Sequence, residues 1–168
     1  MNLHVDLQNI LFLDIETVPQ EKDWEHVSEI TRELFEQKTA YQRKEGILVE
    51  DFYERAGIWA EFGKIICISV GYFTALKKTK QLRVKSYYGD DEKQLLLDFK
   101  ELLVNHFYKK QHVLCAHNGK EFDFPYIARR MIIHQIELPS KLNLFGKKPW
   151  EVSHLDTMEL WKFGDYKH

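Results

Sequence analysis

The chain has 168 residues, of which 44% are hydrophobic and 14% aromatic, with a formal net charge of −2. That suits one domain with a sizeable core and excludes a disordered chain. It also excludes a protein that meets a polyanion by bulk charge, so nucleic acid would have to be met by local basic patches or by metal ions.

No apolar run approaches the ~20 residues of a membrane span, and Met1 to Asn9 has no apolar signal core. Cys67 and Cys115 lie in apolar, strand-like runs, as buried free thiols of a reducing compartment do. The expectation is a soluble cytoplasmic protein.

The first element is the strand Ile10 to Leu13, apolar enough to be buried on both faces. It runs into Asp14-Ile15-Glu16-Thr17-Val18-Pro19. Side chains at i and i+2 share a strand face, so Asp14 and Glu16 project together, roughly 7 Å apart at Cα. Like charges 4 Å apart repel by about 1 kcal/mol in water and about 4 kcal/mol at an effective dielectric of 20. A divalent cation between them would turn that cost into a binding site. Two solvated acids at a strand end fit the same pattern.

Residues 20–62 read as an insertion between the first and second strands. Trp24, Val27, Thr31, Leu34 and Phe35 have helical spacing, and Phe52, Ala56, Trp59 and Phe62 suggest a second short helical or irregular piece. The insertion covers an edge, forms one wall of a cleft, or is a packing appendage. Ile65 to Phe73 is the second strand. Lys77, Lys78 and Lys80 mark a solvated turn, open to nucleic-acid contact. Leu82 to Tyr88 alternates as a half-exposed edge strand protected by its charges.

Asp91 with Gln94 is a capping-box pattern. Leu95, Phe99, Leu102, Leu103 and Phe107 form the stripe of the helix beyond it, closed by Lys109 and Lys110. His112 to Ala116 is the fourth strand. Pro125 suits a first helical turn, and Phe124, Ile127, Ala128, Met131 and Ile132 form a clean amphipathic stripe. Asp123 is thereby set at a helix N-terminus just past a strand. Leu138 to Trp150 is a loop, Glu151 to Thr157 holds a short fifth strand, and Met158 to Trp161 begins a helix. Three sequential strands without a crossover helix imply an antiparallel meander, and the later strand–helix units imply parallel addition.

Ligand sites in open α/β sheets lie at the carboxyl ends of strands. With the fourth strand parallel beside the first, Asp14, Glu16 and Asp123 converge, and oxygen-only ligation favours Mg2+ or Mn2+ over zinc.

Two motifs in the chain resemble those of the DEDDy-type 3′–5′ exonucleases of the ribonuclease H-like superfamily. Specifically, they resemble those of the proofreading domain of family B DNA polymerases and its stand-alone bacterial relatives. Asp14-Ile15-Glu16 is similar to the first exonuclease motif. Asn118-Gly119-Lys120-Glu121-Phe122-Asp123-Phe124-Pro125-Tyr126 is similar to the second, N-x-x-x-F-D-x-P-Y. The resemblance implies an α/β fold, a mixed five-stranded sheet flanked by helices with the first strand central. It implies a two-metal 3′–5′ exonuclease acting on single-stranded nucleic acid, DNA in the first instance. Asp14, Glu16 and Asp123 would bind the metals. Backbone groups of Ile15 to Thr17 would meet the terminal nucleotide, and Asn118 and Phe122 would line the strand path.

His117 reads as a hydrogen-bonded strand-end histidine, and Lys120 as a phosphate contact or a solvated lysine. The family's fourth acid lies in a Tyr-x-x-x-Asp motif on a C-terminal helix, and no such motif comes after Asp123. Asp156 and Asp165 are the remaining acids considered for the role. The expectation is a chain lacking its C-terminal helix and impaired in catalysis, the alternative being a nucleic-acid-binding domain of the same fold.

Overall fold

A computed structural model describes residues 6–76 and 79–165. Its centre is one five-stranded sheet of order β3-β2-β1-β4-β5. The strands are β1 (Ile10–Pro19), β2 (Gly63–Leu76), β3 (Thr79–Tyr88), β4 (Val113–Ala116) and β5 (Leu155–Asp156). β1 pairs antiparallel with β2 and parallel with β4, β2 pairs antiparallel with β3, and β4 pairs parallel with β5. This is the expected mixed sheet, with the first strand central.

β1 is longer than its apolar run. It carries on through Asp14 and Glu16 to Pro19, so both acids stand within a strand rather than at its end. Pairing with β2 along the whole length holds it extended, from Leu11 opposite Tyr72 to Pro19 opposite Gly63. The register slips between Glu16 and Thr17, where β2 carries the extra residue Ile66. Bulges of this kind re-aim side chains and recur beside active sites.

The strand's alternation sorts its residues. Leu11, Leu13 and Ile15 enter the main core. There they meet helix α3 (Glu92–His106) through Leu95, Leu96, Phe99 and Leu103, and helix α4 (Asp123–Ile133) through Phe124, Ile127 and Met131. Phe12, Asp14 and Glu16 take the other face. There the registered rows are Phe12–Gly71–Val84, Asp14–Ser69–Ser86 and Glu16–Cys67–Tyr88. Phe12 meets Phe73 edge-on at 6.3 Å, and the Ser69 and Ser86 hydroxyls are 2.9 Å apart. On edge strand β3 it is this face, with Val84 70% and Tyr88 80% exposed, that lies open, while Tyr87 is buried on the face with Arg83 and Lys85. The lysines 77 and 78 lie outside the described residues.

Between β1 and β2 come helices α1 (Glu29–Thr39) and α2 (Val49–Phe52) and the 3-10 segments Trp24–His26 and Tyr53–Ile58. They close over an aromatic cluster of their own, with Phe35 at its centre against Phe52, Tyr53, Trp59 and Phe62. Leu34 belongs to the helical pattern in the sequence but is exposed. Cys115 is buried and its thiol is pushed up to about 11 by that burial, whereas Cys67 is only half-buried; both are free thiols.

Helices α3 and α4 differ from expectation in detail. α3 ends at His106, so Lys109 and Lys110 lie beyond it and do not close it. Asp91 caps α3 by accepting from the Gln94 amide at 3.0 Å, but the Gln94 side chain turns to Asp98 instead of back to the cap, leaving half a capping box. On α4, Ile132 falls outside the buried stripe and Tyr126 and Arg130 fall inside it.

Arg130 is buried because Glu92 answers it. Arg130 Nε and Nη2 donate to the two Glu92 oxygens at 2.8 and 2.5 Å. The Ile65 amide also donates to Glu92 at 2.7 Å, His134 Nε2 lies 2.7 Å from it, and Arg130 Nη1 reaches the Ala60 carbonyl at 2.9 Å. One buried pair thus joins α3, α4, the start of β2 and the insertion. Burial alone would raise the Glu92 pKa, but Arg130, the Ile65 amide and His134 outweigh it and hold the carboxyl below its ordinary value.

A depressed carboxyl contributes stability above its unfolded-state pKa and loses it as pH falls through the folded value. Glu92→Gln should therefore lower stability at pH 7 by about 3–5 kcal/mol, because Arg130 is left as an unpaired buried charge. The penalty should shrink on acidification below pH 4. Denaturant melts of both proteins at pH 7 and pH 3 check this, and a loss under ~1 kcal/mol at pH 7 would contradict it.

Candidate active site

β4 stops at Ala116, and the chain must turn from the sheet edge into α4 within six residues. The motif residues make that turn. Asn118 takes a left-handed conformation, φ 59°, which asparagine tolerates better than most residues. Its carbonyl accepts the amides of Glu121 and Phe122 at 3.2 and 2.9 Å. Gly119 passes so close to Ala116 and Phe124 that a Cβ there would collide with both. Phe122 packs on the main core, half-buried, with its ring 5.4 Å from Tyr126. Asp123 opens the helix and Pro125 sits in its first turn. The Tyr126 hydroxyl donates to the Gly57 carbonyl at 2.8 Å, docking α4 on the insertion.

The turn delivers Asp123 to the middle of β1. Its side chain is 3% exposed. Burial pushes its carboxyl up, its own amide pulls it down, Asp14 pushes it up, the Ile15 amide pulls it down, and Asp156 pushes it up, for a result of about 6. Asp14 and Asp123, 109 residues apart in sequence, are therefore electrostatic neighbours. Glu16 shares the face of Asp14 on β1, exposed like it. Neither Asp14, Glu16 nor Asp123 makes an ion pair among the described residues. Ile15 is buried and Thr17 half-buried beside the Tyr126 hydroxyl.

The donors here are carboxylates without thiolate or imidazole, the set that a hard divalent cation takes. Among the described residues no three of His, Cys, Asp and Glu are already drawn together into a metal-holding group. The set suits such an ion in kind, with one buried and two exposed members.

A family model described as RNase_H superfamily matches residues 53–167. The chain belongs to the RNase H superfamily. No curated protein matches it significantly. The superfamily match takes in β2 to β5, the turn of the second motif and Asp123, and it begins after Asp14 and Glu16. It establishes a nuclease-like fold of a superfamily whose domains bind nucleic acid, and the mixed five-stranded sheet is consistent with it. No helix among the described residues is long and apolar enough to cross a membrane.

Four neighbours of the site can be set against the sequence-based expectation. Lys120 is neither solvated nor free for a phosphate, since its ammonium pairs with Glu159 at 2.7 Å. His117 is the hydrogen-bonded strand-end residue expected, 3.0 Å from the Thr157 hydroxyl. Asp156, considered as a fourth acid, is 3% exposed and its oxygens are taken up by backbone amides. Two residues before it, His154 is buried as well. It accepts from the Leu114 amide at Nδ1, 3.2 Å, and faces the Lys141 carbonyl with Nε2, 2.7 Å. That arrangement fits the neutral ring that burial favours, with its pKa down to about 4. The pattern His154-x-Asp156 is the signal that sequence reasoning misses: two polar residues at i and i+2, one just before the short strand β5 and one at its end.

A carboxyl raised in the folded state contributes stability below its unfolded pKa and loses it as pH rises through the folded value. Ionised Asp123 is thus a cost above pH 6. In chelator, Asp123→Asn should be more stable than the parent at pH 8 by up to about 3 kcal/mol, the worth of a two-unit shift. The gain should fade towards pH 4.5. Thermal melts at both pH values test it, and an Asn variant less stable at pH 8 than at pH 4.5, relative to the parent, would count against a raised Asp123.

Proposed function

We propose that the chain is a metal-dependent 3′–5′ exonuclease domain that hydrolyses the terminal phosphodiester of single-stranded nucleic acid, DNA in the first instance. The observation that carries this reading is the buried Asp123 carboxyl, raised to about 6 by burial and by the charge of Asp14 although the Ile15 amide opposes the rise, in a chain of a nuclease superfamily. The resemblance of both stretches to exonuclease motifs supports it.

On this reading Asp14, Glu16 and Asp123 hold one or two Mg2+ or Mn2+ ions. Bound ions supply a water acidic enough to attack the phosphorus and charge to stabilise the leaving 3′ oxygen. Among the described residues no hydrogen bond or ion pair engages the Asp14 and Glu16 carboxylates. Asp123, with its carboxyl at about 6, takes up a cation at the expense of its proton, so metal affinity rises with pH through that range. Ile15 and Thr17 offer backbone groups to the terminal nucleotide. Asn118 and Phe122 border the strand path, where the exposed part of the Phe122 ring can take a base.

The expected result with a 5′-labelled single-stranded oligonucleotide is a ladder shortening from the 3′ end in Mg2+ or Mn2+ and none in chelator. Asp14→Ala and Asp123→Ala should each lose about a hundredfold or more, given the several kcal/mol of charge stabilisation that bound ions supply. Binding of the oligonucleotide without any ladder in either metal would favour a nucleic-acid-binding domain instead.

A further inference from the structure

We propose that Asp156 is the positioning residue of this site: its carboxylate fastens the backbone of the turn that carries Asp123, and it is not a metal ligand. The inference rests on the proposed nuclease function for its catalytic half and on geometry alone for its structural half.

Asp156 ends β5, paired with Ala116 at the end of β4. It therefore stands where the chain leaves the sheet for the turn. One of its oxygens accepts the Asn118 amide and the Met158 amide, each at 2.9 Å, and the other accepts the Lys120 amide at 3.1 Å. An ionised carboxylate has about four acceptor sites, and three are in use. The amides of Asn118 and Lys120 have no other partner among the described residues. Without Asp156 two donors of the turn would be orphaned, which buried backbone rarely tolerates.

The clamp acts on Asp123 through the turn between them. Asn118 is in the left-handed conformation, and its carbonyl anchors the amides of Glu121 and Phe122. Those hydrogen bonds gather the turn up to Phe122, the N-cap of α4, and the Gly119 carbonyl accepts the Phe124 amide at 2.9 Å, so the turn leads directly into Asp123, the first residue of the helix. Helix α5 (Thr157–Lys162), capped by the same carboxylate, adds two outer ties. They are Thr157 to His117 at 3.0 Å and Glu159 to Lys120 at 2.7 Å.

The requirement is for an acid and not merely a polar residue. An amide in its place offers one acceptor oxygen and turns an NH2 group on amides that are themselves donors. Asp14 and Glu16, by contrast, are exposed, with no hydrogen bond to either side chain among the described residues. Asp156 gives both of its oxygens to backbone amides, two of them in the turn that leads to Asp123.

The test compares the parent chain with Asp156→Asn, Asp156→Glu and Asp123→Asn, read by amide hydrogen exchange and by cleavage of a labelled single-stranded oligonucleotide in Mn2+. In Asp156→Asn the amides of Asn118 and Lys120 should exchange at least about tenfold faster, with the Phe12 amide of β1 unchanged. Its kcat should fall by about ten- to a hundredfold at an unchanged KM and an unchanged half-saturating Mn2+ concentration, since ~1 Å of misplacement costs that much. Asp156→Glu, which keeps both acceptor oxygens, should recover part of the rate.

A tenfold rise in the Mn2+ requirement with unchanged exchange would overturn the proposal in favour of a ligand. Faster exchange at an unchanged kcat would reduce Asp156 to a local tie and overturn its positioning role. Should Asp156→Asn not fold, the parent decides the structural half, and unprotected Asn118 and Lys120 amides would overturn it. Absence of cleavage by the parent, with Asp123→Asn no different, would defeat the nuclease reading and the catalytic half with it. The clamp would then stand or fall on the exchange rates.

Discussion

A carboxylate taken out of water must be met by donors or surrender its charge, and that constraint shapes this molecule more than any other. Three acids are buried among the described residues: Glu92, Asp123 and Asp156. Glu92 is met by a guanidinium, an amide and an imidazole. Asp156 is met by three backbone amides. Both answers are structural, because each joins elements that the sheet alone would not hold together. Asp123 is the exception. Two amides favour its charged form, but burial and the charges of Asp14 and Asp156 act against it, and its carboxyl rises to about 6. A buried acid left partly unanswered beside another acid is the kind of perturbed group that clusters at functional sites.

The two answered acids divide the scaffold's work. The Glu92–Arg130 pair fixes the C-terminal half of α4 against α3 and the insertion. The Asp156 amides and the Tyr126 hydroxyl secure its N-terminal approach and first turn. α4 is therefore pinned near both ends by polar contacts, while Phe124, Ile127 and Met131 seat its middle in the core. Apolar packing tolerates small slides of a helix, whereas directed hydrogen bonds at both ends do not.

Much of this is legible in the sequence because β1 and α4 obey simple periods. Alternation along Leu11 to Glu16 separates core residues from acids, and the 3.6-residue stripe of α4 places Asp123 at its start. The mixed sheet comes from connection lengths alone. What periodicity cannot give is how far β1 runs, since Asp14 to Pro19 is extended by pairing with β2 rather than by its own hydropathy. Lys109 and Lys110 suit the dipole of a helix C-terminus and so look like the end of α3, yet the cap falls at Phe107, where burial of that ring ends the helix. The contacts of Lys120 and Asp156 are not legible in the sequence for one shared reason. Their partners lie 39 and 36–38 residues away, on strands and helices whose contact only the folded sheet creates.

The acids of the site are held in two different ways. Asp14 and Glu16 rise from the interior of the central strand, whose backbone is paired on one side along its length and on the other as far as Phe12. Their Cα atoms have little freedom, and only their side-chain rotamers can adjust. Asp123 hangs on a turn and a helix start, and its distance from β1 depends on how tightly residues 118–122 are gathered. Any cation shared by these groups must then be accommodated by rotamers on the strand side and by the turn on the helix side. Loosening β1 would require breaking the sheet, whereas loosening the turn requires releasing the Asp156 amides and the outer ties of Thr157 and Glu159. The position of Asp123 is thus the softest degree of freedom in the site, and a carboxylate that no substrate or metal need touch is the group that stiffens it.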